Sequence, residues 1–283
     1  MKNIVITVAI ALVASFVGVK VFAPTGSNSA AAKETAYERV MRTGVLRCGY
    51  NYWDPGVVKN ADGSLGGYAV DVAREIAKVG ELKLEWVGPI EWGNMVAELA
   101  SNKVDAFCAG TWQAGLKAKH VIFSEPFSYE AVEAFVRVGD NRFVGNLAAL
   151  NSPEVTLVVV DNDNSAFIAK DTFPKAKVVA LPVGMSDADM LQYVITGKAD
   201  ATFVSLGLAR SFMAANPNAI QPAAKGQYLR LFGNTMVVNG GEFQLNHFME
   251  TSLAELENSG VINRLIDAYA DKHIFLKKVA VAR

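Results

Sequence analysis

Several residue types and signatures that mark specialised proteins are scarce or missing in this sequence. Two cysteines among 283 residues are too few for a disulfide scaffold and lack the CxxC spacing of zinc and redox sites. Basic and acidic side chains number 27 and 28, so there is no positive excess for nucleic acid. No GxGxxG, Walker A, HExxH or GxSxG sequence occurs, and the three histidines lack metal-ligand spacing. We therefore expect no nucleic-acid partner, no metal and no cofactor.

The sequence contains enough hydrophobic residues to form a large core. Hydrophobic residues make up 51% of the chain and charged residues 19%, the composition of an ordinary globular protein. With about 150 residues per domain as a guide, the length predicts two domains or one large one.

The N-terminus predicts export. Lys2 precedes an apolar stretch, Ile4 to Val19, which is short for a membrane span but fits a signal peptide. We interpret residues 1–23 as a signal peptide or N-terminal anchor and residues 24–34 as a linker. Pro24 directly after Ala23 disfavours cleavage there, so an uncleaved anchor in the inner membrane stays an alternative to a free periplasmic protein.

Cys48 and Cys108 each lie in an apolar, strand-like run. They can be two buried free thiols, or they can form a disulfide, which the oxidising compartment indicated by the N-terminus would permit. The sequence leaves both alternatives open.

Strand-like and helical patterns alternate twice along the chain, which is typical of parallel α/β structure. The first round has predicted strands at Val45–Gly49, Lys83–Val87 and Val104–Ala109, with helices at Val70–Val79 and Asn94–Ala100. The second has strands at 155–160, 177–181 and 201–204, with helices at 165–172, 187–196 and 206–214. Extended segments near 129–138 and 228–238 connect the rounds, and two C-terminal helices must pack back on one of them. Two α/β lobes with a two-segment hinge therefore enclose a cleft.

Six phrases, in this order and spacing, resemble the bacterial extracellular solute-binding proteins of family 3, the amino-acid-binding components of ABC importers. They are Gly44–Arg47, Asp62–Asp71, Trp92 with Asn102–Ala106, Phe123–Phe127, Gly197–Ala201 and Leu256–Gly260. The resemblance implies two Rossmann-like lobes of the type II periplasmic binding protein kind, with residues 35–132 and 234–283 as lobe 1 and the inserted residues 133–233 as lobe 2. It also implies a small-molecule ligand and an ABC permease as partners. We expect a monomer.

Ligands of open α/β sheets bind beyond the carboxyl ends of the strands. The residues that we predict to contact ligand there are Trp53, Trp92, Gly110, Trp112, Lys117, Asp161, Asp163 and Ser205. Tyr50 and Tyr52 fall on the same loops, and the aromatic cluster suits a planar ring or a cationic amine.

The chain departs from the family at the positions that hold an amino acid. By the resemblance, Lys117 replaces an arginine that binds the ligand carboxylate, and Ser205 replaces an aspartate that binds the ammonium. Trp112 replaces a hydroxyl residue, and Asp161–Asp163 replaces a Gly-Ser/Thr phrase. We therefore expect either a ligand without an α-ammonium, or an ammonium met by Asp161, Asp163 or the aromatic rings.

Two other functions remain open from the sequence. Some relatives of this fold are cyclohexadienyl (prephenate) dehydratases, and the fold also serves as the ligand-sensing part of signalling receptors. Glu125, Glu130 and Glu133 lie just before the hinge, where we expect solvated side chains and no catalytic role. We predict a binding protein and not an enzyme.

Overall fold

The computed structural model describes residues 34–269. The predicted signal peptide or anchor, and all of the predicted linker except Glu34, lie outside the described residues. Within residues 34–269, no helix combines the length and the hydropathy needed to cross a bilayer.

The first round of secondary structure forms one end of a mixed sheet and a separate two-stranded sheet. Its elements are α1 (Ala36–Thr43), β1 (Val45–Gly49), β2 (Val58–Lys59), β3 (Leu65–Gly66), α2 (Tyr68–Val79), β4 (Lys83–Val87), α3 (Met95–Ala100), β5 (Ala106–Trp112) and β6 (Val121–Phe123). β1 pairs in parallel with β4 and with β5, as the alternating pattern predicted. Gly80 ends α2, and its backbone N–H donates to the carbonyl of Ile76.

Two long strands carry the chain between the rounds. They are β7 (Ser128–Arg137) and β12 (Arg230–Asn239), which pair antiparallel around Tyr129 and Gly233. The far half of β12 pairs with β5 and β6, and the far half of β7 pairs with β10. The predicted extended crossings are therefore adjacent strands, and they connect the two parallel sets of strands into one sheet.

The second round has the same alternation of strands and helices as the first. Its elements are β8 (Thr156–Val160), α4 (Asn164–Thr172), β9 (Lys177–Leu181), α5 (Asp187–Ile195), β10 (Ala201–Ser205), α6 (Leu206–Ala215) and β11 (Ile220–Pro222). β8 pairs in parallel with β9 and β10. Ser186 and Asp189 form a reciprocal capping box at the start of α5. The predicted α/β fold class is confirmed.

The C-terminal helices α7 (Phe243–Asn258) and α8 (Val261–Tyr269) pack back on the first round. Their Leu245, Met249 and Ile266 belong to a hydrophobic cluster whose buried residues come from 36–127 and 236–266. Two further clusters take their buried residues from 132–223. The predicted return of these helices to one lobe is confirmed, while the lobe boundaries stay a prediction.

Two of the family-like phrases have a structural role. Asp105 accepts the backbone N–H of Arg47 at 2.8 Å, and Asp200 accepts that of Thr156 at 2.8 Å. Each carboxylate therefore ties its own strand region to the neighbouring parallel strand. The repeated phrase, Lys103–Ala106 in the first round and Lys198–Ala201 in the second, therefore links neighbouring parallel strands in both rounds.

Cys48 and Cys108 form a disulfide. The bond links β1 to β5, which are neighbours in the sheet, and both residues are buried in the first hydrophobic cluster. Of the two alternatives that the sequence left open, the free-thiol interpretation is therefore wrong.

Candidate functional site

The carboxyl ends of both sets of parallel strands supply the candidate site. β5 extends to Trp112, so Gly110 and Trp112 lie in a strand and not in the predicted loop. The reason is the pairing of Thr111 and Trp112 with Thr235 and Asn234 of β12. A strand on a sheet holds these side chains more rigidly than a loop would.

Trp53 lies against β5, one of the parallel strands of the first round. Its indole Nε1 donates to the carbonyl of Ala109. A Cβ added at Gly56 would overlap the ring, and one added at Gly110 would lie 3.0 Å from it, so both glycines leave room for the indole. Gly110 also has a φ of +76°, which favours glycine. The structure therefore brings Trp53 and Gly110 together.

Trp112 lies over the crossing strands. Its ring stacks on Phe232, with centroids 4.4 Å apart and planes at 8°. Its side chain also forms a hydrogen bond to Glu130, as the donor, because indole has only an N–H to offer. Trp112, at the end of β5, therefore contacts a carboxylate on β7.

Glu130 is the most deeply placed acid at this edge. Its side chain is 4% exposed and accepts hydrogen bonds from Ser205 and Trp112. Burial raises the pKa of Glu130 to about 7, and the two hydrogen bonds oppose that rise. The expectation that the acids before the hinge are solvated is wrong for Glu130 and for Glu133, since β7 is paired on both sides and packed on both faces.

Ser205 ends β10 and caps α6. Its Oγ accepts the backbone N–H of Leu208 at 3.3 Å, and its hydroxyl donates to Glu130. The serine therefore has two partners of its own in the structure. It contacts the Glu130 carboxylate from the position that, by resemblance, is usually an aspartate.

Lys117 and Asp163 interact electrostatically between the first and second rounds. Burial lowers the pKa of Lys117, and the charge of Asp163 opposes that change. Asp163 in turn affects Asp187, the first residue of α5, whose pKa is raised to about 7 by burial and by the charges of Asp163 and Glu130. Asp163 therefore interacts with both Lys117 and Asp187, and Asp187 also interacts with Glu130.

A loop of the first round touches α6 of the second. Ser211 Oγ donates to Asp54 Oδ2 at 2.9 Å. A Cβ placed at Gly207 would lie 3.5 Å from Glu130 Oε1 and 3.8 Å from the carbonyl oxygen of Asp54. Glu130 therefore lies next to the contact between the two rounds.

The other residues that the sequence predicts near the ligand have fewer contacts with this group. Trp92 packs on Phe107 with centroids 5.5 Å apart and is half-buried. Asp161 is exposed, and its backbone N–H donates to the carbonyl of Leu181 at 2.9 Å. Tyr50 is buried in the first hydrophobic cluster, whereas its neighbour Tyr52 is exposed. The predicted ligand contacts of these residues stay predictions.

Sequence reasoning missed Glu130, Asp187 and Asp54 as members of this group. Asp187 follows β9, whose carboxyl end belongs to the same edge as those of β8 and β10. Applying the strand-end rule to β9 would have found it. Glu130 shares a strand face with Val132 and Ala134, so the period of two along β7 already indicated burial.

Comparison with known proteins gives consistent results. The probable amino-acid-binding protein YxeM of Bacillus subtilis is 22% identical over 98% of each chain. The L-cystine-binding protein TcyJ of Escherichia coli is 22% identical over 84% of this chain and 87% of its own.

Solved structures share the fold. A putative ABC-transporter binding component of Wolinella succinogenes, complexed with lysine, has a TM-score of 0.69 and 26% identity over 80% of this chain and 95% of its own. The ancestral amino-acid-binding protein AncCDT-1, described as a precursor of cyclohexadienyl dehydratase, has a TM-score of 0.69 and 23% identity over 83% and 99%. The sequence model of one family matches residues 46–272. The chain belongs to the bacterial extracellular solute-binding proteins, family 3.

Proposed function

We propose that this solute-binding protein captures an amino-acid-like solute that carries a positive charge, and that it delivers the solute to an ABC permease. The observation that carries the choice of ligand is the charge at the strand edge. Asp187 interacts there with the charges of Glu130 and Asp163, and Lys117 is the cation that interacts with Asp163. A ligand with one carboxylate and at least one ammonium or guanidinium group matches both signs.

The proposed ligand site lies between two lobes, residues 35–132 with 234–283 and the inserted residues 133–233. The separation of the hydrophobic clusters supports this division. Trp53 and Trp92 form walls on the first lobe, with Gly110 leaving space beside Trp53. Lys117 binds the ligand carboxylate, and Asp161, Asp163 and Ser205 are polar contacts from the second lobe.

Several finer points belong to the same proposal. The protein acts in the periplasm as a monomer, either free or held at the inner membrane by residues 1–23. It has no catalytic role, in keeping with the binding functions named for its curated relatives. The lysine complex of the Wolinella succinogenes protein and the cystine specificity named for TcyJ support an amino-acid-like ligand.

A thermal-unfolding screen tests the proposed ligand class. The screen compares L-lysine, L-arginine, L-cystine and L-glutamine with their D-enantiomers, and adds prephenate and arogenate. A ligand at a thousand times its Kd stabilises the folded state by about 4 kcal/mol, which raises the Tm by roughly 8 to 16 °C for a domain of this size.

We expect the largest shift from a cationic L-amino acid and none from its D-enantiomer. Stabilisation only by neutral or anionic compounds would contradict the proposed ligand class. Turnover of prephenate or arogenate would contradict the binding-only role and favour the dehydratase alternative.

A further inference from the structure

Glu130 is a buried carboxylate on β7. Within residues 34–269 its side-chain hydrogen-bond partners are the uncharged Ser205 and Trp112, and it forms no ion pair. A buried carboxylate without a cation lowers stability, and an apolar residue on β7 would avoid that cost. The charge is therefore expected to serve a ligand.

A second buried acceptor beside Glu130 also lacks a donor. Asn234 on β12 is fully buried, and its Oδ1 has no hydrogen-bond partner, while its Nδ2 donates to Ser128 Oγ at 3.2 Å. Ser128 faces Asn234 and Glu130 faces Phe232 across the two crossing strands, so Asn234 and Glu130 are diagonal neighbours on one sheet face. Two acceptors without a cationic donor match an ammonium group, which carries several N–H bonds.

Where α6 begins, Gly207 leaves a small gap beside Glu130. Gly207 has no side chain in front of Glu130 Oε1, and the space it leaves is bounded by the Asp54 carbonyl and Pro55 of the facing loop. The carboxylate therefore borders the contact between the two rounds, where a captured solute would lie.

We propose that Glu130 binds the α-ammonium group of the ligand, and that Ser205 and Trp112 are positioning residues which hold its carboxylate. This inference rests on the proposed solute-binding function. It replaces the sequence-based expectation that Asp161, Asp163 or the aromatic rings meet the ammonium. It also gives one purpose to two unusual residues, since Ser205 and Trp112 both donate to the same carboxylate.

Calorimetric titration at pH 8 with L-lysine and with 6-aminohexanoate tests the proposal. The second compound is lysine without its α-amino group. Glu130→Gln should weaken L-lysine binding by about 10²- to 10³-fold, because it leaves a buried ammonium without its charge partner. The same variant should change 6-aminohexanoate binding by about threefold or less, because that ligand does not contact residue 130.

Glu133→Gln is the matched control. Glu133 lies on the same strand with the same 4% exposure, but three residues away and thus on the opposite face, where its carboxylate accepts the Gly226 N–H at 2.9 Å. It should leave L-lysine affinity within about twofold of the unchanged protein. Gly207→Ala adds a methyl group at an ordinary contact distance from Glu130 Oε1, so it should fold normally and weaken L-lysine binding.

The pH dependence of L-lysine affinity shows whether Glu130 contacts the ligand directly or has only a structural role. Below pH 7 the ligand must displace a proton from Glu130, so L-lysine affinity should fall by up to about tenfold per pH unit. The charge of Glu130 acts on Asp187 of α5, which also interacts with Asp163, as does Lys117. Asp187→Asn should keep most of this pH dependence, and Glu130→Gln should remove it.

Ser205→Ala should shift the pH at which L-lysine affinity falls to a higher value, because it deletes a hydrogen bond that lowers the pKa of Glu130.

If Glu130→Gln weakens L-lysine binding no more than Glu133→Gln does, the inference is overturned and the proposed function stands. If the unchanged protein binds neither L-lysine nor L-arginine, the proposed ligand class and this inference both fail.

Discussion

In the ligand-free protein, Glu130→Gln should raise the free energy of unfolding at pH 8 by about 3 kcal/mol. Burial raises the pKa of Glu130 from its ordinary 4.5 to about 7, and one pKa unit corresponds to about 1.4 kcal/mol. The folded state therefore holds a proton that the unfolded chain has already released, and stability falls as pH rises from 4.5 to 7. Glutamine has no proton to lose.

Urea unfolding at several pH values measures this effect. At pH 4.5 and below the native side chain is largely neutral in the folded protein, so the two proteins should be about equally stable there. Their difference should grow through the range from pH 4.5 to 7 and then stay constant. A variant that is less stable than the unchanged protein at pH 8 would show that Glu130 stabilises the fold.

Replacing both cysteines with alanine should lower the free energy of unfolding by about 4 kcal/mol. The bond between Cys48 and Cys108 closes a loop with a sequence separation of 60, and the entropy lost by the unfolded chain scales with the logarithm of that length. Both residues are buried, so the lost packing adds to the effect.

Reduction of the unchanged protein provides the comparison, because it breaks the bond and keeps both side chains. L-lysine affinity at a temperature where the protein is folded should change little, since the bond lies in the first hydrophobic cluster and not beside Glu130. Equal stability of the oxidised and reduced proteins would contradict a stabilising role for the disulfide.

The sequence predicted the long elements well, because each has a clear period. The helix of Tyr68–Val79 was predicted from residue 70 and ends before Gly80 as expected. Strands of two or three residues, such as Val58–Lys59 and Ile220–Pro222, were missed. So few residues show no alternation, and their pairing depends on partners far along the chain.

The candidate site was only partly predictable from the sequence. Lys117 and Asp163 were named, and their interaction follows from both lying near the carboxyl ends of parallel strands. Glu130 was named and wrongly assigned to solvent. The period of two along β7 indicates its buried face, but the residue that pairs with it, Phe232 of β12, lies far along the chain. The disulfide was left open because pairing of cysteines is decided by the distance between β1 and β5, which no local pattern reports.

We propose that the protein closes around a solute held between two lobes, which the crossing strands β7 and β12 connect. Small-angle X-ray scattering with and without saturating L-lysine tests it most directly, since hinge closure makes the molecule more compact. We predict a smaller radius of gyration with L-lysine, and no change with D-lysine. An unchanged scattering profile, at an L-lysine concentration that calorimetry shows to be saturating, would contradict closure.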